Sequence, residues 1–252
     1  MAFQIEPYLK RIRYDGSLSP NADTLRRLHR LHMLNVPFEN LDIPLKREIK
    51  LDVDAFFDKI INRNRGGFCY ELNGLFAELL RRLGFKVEML SARVSKSAED
   101  YGPEFDHMTL LVQLDERWIA DVGFGESFIE PLKLDVEEEQ IQNSRRYRII
   151  SRENGGKIYQ AFDKKWMNQY LFHISPHKLR EYAGMCNYHQ TSPDSTFTQK
   201  VVCSRATEDG RITLTDKKLI ITSGTQRQEK DLAGQEEFDQ LLLEHFGFSL
   251  TE

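Results

Sequence analysis

A cysteine stands at the start of a periodic stretch, "RGGFCYELNGLF" at residues 65–76. A basic, glycine-containing loop leads into Cys69, and apolar residues then recur every three or four positions, which predicts a helix that begins there. Amide dipoles at a helix start favour a thiolate over a thiol, so the position suits a reactive cysteine. The alternative from these residues alone is a buried cysteine that only fills the core.

A cysteine nucleophile needs a base, and the base needs an acceptor that orients it. His107 heads the stretch "HMTLLVQL", which has strand character and follows a loop that can shape a cleft. If Asp115 and Glu116 form a hairpin turn, the next strand brings Asp121 beside His107. We therefore predict that Cys69, His107 and Asp121 converge. The alternative is that Asp121 only caps the "VGFG" turn at the end of its strand. The other histidines are placed on helices (His29, His32 and His245) or in and beside loops (His173, His177 and His189).

The predicted secondary structure that positions these residues changes from helix to strand near residue 84. Before it, helical spacing runs through "NADTLRRLHRLHMLNVPF", with a cap at Asn21 or Asp23, through "DVDAFFDKIINRN", and through the helix after Cys69, which Gly84 ends. After it the period is two, and five stretches read as strands: "KVEMLSARVS", "DHMTLLVQLDERWIADVGFG", "RRYRIISRENGGKIYQAFDKKW", "FTQKVVCSRAT" and "RITLTDKKLIITSG". A short amphipathic helix, "FDQLLLEHFGFSL", closes the chain. This order predicts an α+β fold.

Composition narrows the class of function. The chain has 252 residues, 40% of them hydrophobic, and a net charge of −4, a balance that argues against non-specific nucleic-acid binding. No apolar run reaches the length of a membrane span, and the N-terminus lacks signal-peptide features. Three widely spaced cysteines, without CxxC or HExxH patterns, indicate neither a disulfide framework nor a zinc site. We expect a cytoplasmic protein with no metal, and we read Cys186 and Cys203 as structural.

Five motifs in one order resemble the arylamine N-acetyltransferase family, in its compact bacterial form. They are "VPFENLDI" (36–43), "RGGFCYELNGLF" (65–76), "DHMTLLV" (106–112), "DVGFG" (121–125) and "TSPDSTFTQ" (191–199). The resemblance implies an N-terminal helical bundle (1–84), a central antiparallel β-barrel (85–190) and a C-terminal α/β lid (191–252), with a core like that of cysteine proteases.

The resemblance also implies a reaction. An acetyl group would pass from acetyl-CoA to Cys69, and then to an arylamine, arylhydrazine or arylhydroxylamine, with ping-pong kinetics and His107 and Asp121 completing the triad. A backbone amide near Cys69 is the expected oxyanion donor. Acetyl-CoA would be a substrate, with no tightly bound cofactor, and the protein would be a monomer or homodimer.

Further residues are assigned to binding or support. Phe38, Asp106, Phe124, Gly125 and Phe197 resemble family positions around the acceptor and the thiol end of CoA. Thr109 faces the same way as His107 on its strand and is expected either to line the cleft or to pack in the core. Glu39 and Arg65 are expected to form a buried ion pair that supports the cysteine loop.

Two other functions fit the same triad order. Transglutaminase-like and papain-like hydrolases also place a cysteine at a helix start and a histidine on a strand. In this chain "VPFENL" and "DVGFG" favour the acetyltransferase. The second alternative is a scaffold that binds CoA or an aromatic ligand without turnover.

Overall fold

The computed structural model describes residues 3–97, 99–126, 128–143, 145–162 and 165–250. Its first third is helical, as the spacing predicts. The elements there are α1 Ile5–Ile12, α2 Ala22–Asn35, a short strand β1 Phe38–Glu39, α3 Val53–Phe57 with a π-helical continuation Asp58–Asn62, and α4 Cys69–Arg82. The side chain of Asn21 accepts a hydrogen bond from the Thr24 amide, which confirms Asn21 as the cap of α2.

Helix α4 is buried on nearly all sides, since eleven of its fourteen residues are buried. Its start is fixed because the Glu71 carboxylate accepts a hydrogen bond from the Phe68 amide at 3.0 Å, so the helix begins at Cys69. Gly84 follows the last turn with a φ of +90°, a left-handed conformation that glycine adopts without strain. The predicted apolar stripe is confirmed: Leu72, Phe76, Leu79 and Leu80 are each 0% exposed.

Eight antiparallel strands form the nearly closed barrel that follows. Their bounds are β2 Lys86–Val94, β3 His107–Gln113, β4 Arg117–Ala120, β5 Leu132–Lys133, β6 Gln140–Gln142, β7 Arg145–Arg152, β8 Gly155–Phe162 and β9 Lys165–His177. The spatial order is β5-β4-β3-β2-β9-β8-β7-β6. The predicted hairpin is confirmed, because β3 and β4 pair from Gln113↔Arg117 to Leu110↔Ala120.

Glutamine side chains join the two edges of the barrel, where β5 and β6 do not pair through their backbones. The amide group of Gln140 accepts from the Lys133 amide and donates to the Lys133 carbonyl, both at 2.8 Å. Gln142 accepts from the amides of Ile129 and Glu130 at 2.9 and 3.0 Å. Side-chain amides thus replace ladder bonds across the last gap.

A second, five-stranded sheet uses both ends of the chain. The remaining elements are α5 Ala183–Thr191, α6 Thr196–Gln199, β10 Val202–Ala206, β11 Gly210–Thr215, β12 Lys218–Ser223, β13 Gln226–Asp231 and α7 Gln235–Phe246. The sheet order is β1-β10-β11-β12-β13. Since β1 precedes residue 84, and since the helical core continues onto Val87 and Met108, the chain segments are interleaved. Division at residues 84 and 190 stays a prediction.

The structure corrects several placements. The stretch "FTQKVVCSRAT" begins as helix α6 and becomes strand only at Val202. His173 lies within strand β9 and His189 on helix α5, so neither is in a loop, whereas His177 is the last residue of β9 and lies beside one, as predicted. Asp163 and Lys164, inside one predicted strand stretch, lie outside the described residues. No helix in the described ranges has both the length and the apolar composition of a membrane span.

Candidate active site

A cavity of about 480 Å³ lies above the start of α4. It is lined by seven of the nine residues that the sequence singles out: Phe38, Cys69, Asp106, His107, Phe124, Gly125 and Phe197. Asp121 lies behind this lining, fully buried, and reaches the cavity through His107. The three predicted triad positions are therefore brought together, although their catalytic roles stay predictions.

Cys69 occupies the first position of α4 and is 2% exposed. The backbone amide of Met108, the residue after His107, acts to lower the pKa of the Cys69 thiol, so the thiol lies beside the start of β3. The backbone of Gly123 packs against the backbone of Cys69. A Cβ on that glycine would stand 2.8 Å from the Cα of Cys69, closer than such contacts allow. Only glycine fits there, which gives the "DVGFG" motif a physical reason.

His107 is held by the carboxylate behind it. Its Nε2 lies 2.7 Å from Oδ2 of Asp121, and the two side chains are 3% and 0% exposed. Because a carboxylate only accepts, Nε2 carries the hydrogen and Nδ1 keeps a lone pair. Phe124 and Tyr170 each pack against the imidazole with centroids 5.2 Å away, so the ring cannot turn freely. The ring is therefore fixed in one orientation, with Nδ1 as the nitrogen that can accept a hydrogen.

Four hydrogen bonds hold the Asp121 carboxylate, and we call His107, Asp121, Asn73 and Tyr170 the Asp121 cluster. Besides the His107 contact, Asn73 Nδ2 donates at 2.9 Å, the Tyr170 hydroxyl at 2.8 Å and the Gly123 amide at 3.0 Å. Burial raises the pKa of Asp121, but the attraction of a protonated His107 and the donated hydrogen bonds outweigh it, so the pKa is lowered. Asp121 is thus a stable anion inside the core.

Asn73 joins the cysteine helix to both strands, a role that sequence reasoning missed. It lies four residues after Cys69, on the same face of α4, and its Nδ2 also donates to the Met108 carbonyl at 2.7 Å. Its Oδ1 accepts from the Val122 amide at 2.9 Å. The spacing of four from the cysteine is the one sequence signal that could have indicated this residue.

His29 is also a positioning residue that the sequence did not reveal. Its Nε2 accepts from the Asp121 backbone amide at 3.1 Å, and its Nδ1 lies 2.9 Å from the Ile129 carbonyl, so Nδ1 carries the hydrogen. Burial lowers the pKa of His29 to about 4, which keeps the ring neutral. Helix α2 thereby fixes the backbone at Asp121.

His189 lines the cavity from helix α5. Its Nε2 lies 3.2 Å from the Asp106 carbonyl, directly before His107, and its Nδ1 lies 3.3 Å from the Ser195 hydroxyl. The ring also packs against Phe197 with centroids 5.1 Å apart. This histidine ties the rim formed by "SPDSTF" to the strand that carries His107.

Part of the cavity wall is aromatic, formed by Phe38 and Phe197. Phe197 packs against Phe38 and Phe68, with centroids 6.1 and 6.0 Å apart.

Thr109 does not line the cavity, so one of its two expected positions is wrong. Its hydroxyl is fully buried, 3.2 Å from the Tyr170 hydroxyl and 3.4 Å from the Ala120 carbonyl. The side chain fills the layer behind the Asp121 cluster.

The thiol environment differs from the sequence expectation. Burial raises the pKa of Cys69 well above its usual value, and the carboxylates of Asp106 and Asp121 act in the same direction. A lone thiolate is therefore unfavourable here. A thiolate at this position would need a cation beside it, and the helix dipole at the start of α4 also favours the anion.

Beneath the cysteine loop lies a second cluster, which we call the ion network: Glu39, Asp42, Lys59, Arg65 and Glu71. The expected pair is present, with Arg65 Nη2 2.8 Å from Glu39 Oε1, and Arg65 Nη1 also lies 2.6 Å from Asp42. Lys59 lies 2.8 Å from Asp42 and 2.9 Å from Glu71. Burial lowers the pKa of Lys59, but the surrounding carboxylates outweigh it and raise it. Glu71 connects this network to the start of α4.

Comparisons with known proteins agree with this geometry. The N-acetyltransferase family model matches residues 21–252. The arylamine N-acetyltransferase of Escherichia coli is 33% identical over 250 residues, 97% of this chain and 89% of that protein. The solved arylamine N-acetyltransferase from Salmonella typhimurium superposes with a TM-score of 0.91 at 32% identity, covering 98% of this chain and 92% of that one. A Mycobacterium marinum arylamine N-acetyltransferase in complex with CoA has a TM-score of 0.90 at 28% identity, over 97% and 93% of the two chains.

Proposed function

The chain belongs to the arylamine N-acetyltransferase family and is an acyltransferase, and from that premise we propose that it moves an acetyl group from acetyl-CoA to arylamines, arylhydrazines or arylhydroxylamines through a thioester on Cys69. One observation carries the proposal. The thiol of Cys69 and the imidazole of His107, braced by Asp121, share one cavity with an aromatic wall. Such a site suits a flat aromatic acceptor.

The first half-reaction loads the enzyme. Nδ1 of His107 takes the thiol proton, and the thiolate of Cys69 attacks the carbonyl carbon of acetyl-CoA. The C–S bond to CoA breaks, and the leaving CoA thiolate takes the proton from the imidazolium. One thioester replaces another, so this step is close to energetically neutral. The backbone amide of Cys69, at the first position of α4, has no acceptor within the helix and is the proposed oxyanion donor.

The second half-reaction passes the acetyl group on. The amine nitrogen attacks the acetyl carbonyl, its proton goes to Nδ1 of His107, and the thiolate of Cys69 leaves. The amide product departs, and the proton on His107 returns to the thiolate, which restores the starting thiol and neutral imidazole. Because the donor leaves before the acceptor reacts, the kinetics are ping-pong.

The cavity supports distinct contacts for acceptor and donor. Phe38, Phe124 and Phe197 are the aromatic surfaces for the acceptor ring. Gly125 has no side chain, and a Cβ added to it would lie 3.8 Å from the Phe38 ring, so the glycine leaves this space beside the ring open. Asp106 lies at the cavity edge next to His107. CoA as donor agrees with the CoA complex of the Mycobacterium marinum relative.

The test is to mix the protein briefly with acetyl-CoA without amine and to map the acetyl group by mass spectrometry. We expect one acetyl group on Cys69, its loss as acetylated amine when 4-aminosalicylate or isoniazid is added, and none in Cys69→Ser. Cys186→Ser, which removes another buried thiol, is the control and should load normally. Amine-dependent CoA release without acetyl-Cys69 would refute the thioester. Amide or peptide cleavage without CoA release would favour a hydrolase.

A further inference from the structure

A second large cleft, of about 590 Å³, lies between helices α1 and α7. It is bounded by Pro7 to Arg13, by the segment from Ile61 to Asn64, by Arg205 of β10 and by Glu244 to Gly247. None of these residues lines the catalytic cavity. The cleft is therefore a separate feature.

The cleft concentrates positive charge. Lys10, Arg11, Arg13 and Arg205 line it, against Glu244 as the one carboxylate among the described lining residues. Glu244 faces His245, 3.8 Å from its Nε2. Within the described ranges, no carboxylate oxygen lies within 4.0 Å of any of the four cations. Among the described residues, the four cations therefore have no carboxylate partner, in a chain whose net charge is −4.

The two inner arginines are fixed in place. Arg11 donates to four backbone carbonyls, of which Asn35 is the nearest at 2.5 Å, so its side chain cannot leave the cleft. Arg205 donates to the His245 carbonyl at 2.8 Å, while its Nε is buried without a partner. Burial, and then the charge of Arg205, lowers the pKa of Arg11 to about 10. The cations repel one another, and an anion would relieve that repulsion.

The cleft and the catalytic cavity lie on opposite faces of the five-stranded sheet. Phe38, which lines the catalytic cavity, pairs with Ser204 across β1 and β10, so these two side chains share a face. Arg205 is the next residue along β10 and therefore points to the other face, toward α7. A ligand in the cleft would not contact Cys69.

We propose that the cleft between α1 and α7 binds a multiply charged phosphate compound, with Lys10, Arg11, Arg13 and Arg205 as its anion contacts. Guanidinium groups bind phosphate oxygens through charge-assisted hydrogen bonds. Arg11, whose donors mostly serve backbone carbonyls, would contribute its fixed positive charge and its remaining N–H. A single charge would leave most of the repulsion in place, so the ligand carries at least two phosphate charges. The volume admits a small phosphorylated molecule rather than an extended polymer.

The test uses inorganic pyrophosphate as the probe, with isothermal titration calorimetry on the full chain at low and physiological ionic strength. The cleft variant is Lys10→Ala with Arg13→Asn, because both side chains are exposed and asparagine tolerates the φ of 59° at residue 13. The control is Arg227→Ala with Lys230→Ala, which removes the same charge from cations paired with Glu229 and Glu237. Circular dichroism checks the fold of each variant.

We expect one pyrophosphate per chain, an affinity about tenfold or more weaker in the cleft variant, and little change in the control. Pyrophosphate should also leave the rate of iodoacetamide alkylation at Cys69 unchanged, because that thiol lies in the other cavity. Absence of binding, an unchanged affinity in the cleft variant, or equal weakening in both variants would overturn the proposal. Slower alkylation of Cys69 would place the anion in the catalytic cavity and would also overturn it.

Discussion

Two buried polar clusters flank the segment that carries Cys69, and they differ in how their charged groups are neutralised. In the ion network, three carboxylates and two cations are paired with one another at 2.6 to 3.5 Å. In the Asp121 cluster one carboxylate faces one imidazole and is otherwise held by neutral donors. The first cluster has no free group facing the cavity, whereas the second leaves Nδ1 of His107 free.

That difference separates a supporting role from a chemical one. A saturated network costs free energy when any member is removed but has no proton to exchange. A carboxylate fixed by neutral donors keeps its charge, and it can orient and stabilise an imidazole that gains and loses a proton. The two clusters are linked through α4, since Glu71 belongs to one and Asn73 to the other.

The largest expected effect comes from Asp121→Asn. The amide would place a donor opposite Nε2, so His107 would carry its hydrogen on Nδ1 and, in the proposed mechanism, could no longer take the proton of Cys69. We expect kcat for acetyl transfer to fall by about 10³ to 10⁴ with the fold retained. Steady-state CoA release and circular dichroism measure the two quantities.

The matched control is Tyr170→Phe, which removes one of the donors to Asp121 but leaves the His107 contact. Its loss of activity should be much smaller than that of Asp121→Asn. Equal losses in the two variants would mean that the number of hydrogen bonds matters, and not the tautomer of His107. Turnover near the wild-type rate in Asp121→Asn would show that another carboxylate orients the base.

Local sequence patterns were enough to predict the reactive residues of this site. His107 and Asp121 are 14 residues apart and belong to one hairpin, so period and turn residues sufficed to pair them. Asn73, Tyr170 and His29 reach Asp121 from 48, 49 and 92 residues away. Such contacts depend on how the helices pack against the barrel, and the local spacing of residue types does not predict that packing. The sequence therefore pointed to the reactive groups but not to the residues that hold them.

The missed elements of the fold have a similar cause. Strand β13 is exposed at every residue from Gln226 to Asp231, so it has no apolar alternation to recognise. Helix α5 buries only Cys186 and His189, which leaves no stripe at helical spacing. Both are held by neighbours, β12 and the cavity rim, rather than by a pattern of their own.

A smaller effect, on stability, is expected from the ion network. Arg65→Met leaves Glu39, Asp42 and Glu71 facing Lys59 alone, so the free energy of unfolding should fall by about 3–5 kcal/mol. Adding Glu39→Gln removes one of the unpaired charges and should restore part of the loss. Urea denaturation measures both values.

Arg63→Met is the control for this pair of variants, because Arg63 pairs with Asp58 at the exposed surface. Its effect should stay below about 1 kcal/mol. If the double variant were less stable than Arg65→Met, Glu39 would stabilise the fold independently of Arg65, and the network would not act as a unit.

The smallest effect concerns His29, which holds the backbone at Asp121 only while it is neutral. Its pKa falls from 6.5 to about 4 on folding, so the unfolded chain binds the proton first as pH drops. The free energy of unfolding should therefore decrease between pH 6.5 and 4, with a slope of up to about 1.4 kcal/mol per pH unit from this residue. His29→Gln keeps a donor and an acceptor but cannot titrate, so urea denaturation across this range should show a shallower slope than in the wild type. Carboxylates and His32 titrate in both proteins and cancel in the comparison. Identical slopes would mean that His29 does not couple protonation to folding, and that Asp121 is positioned by the Asp121 cluster alone.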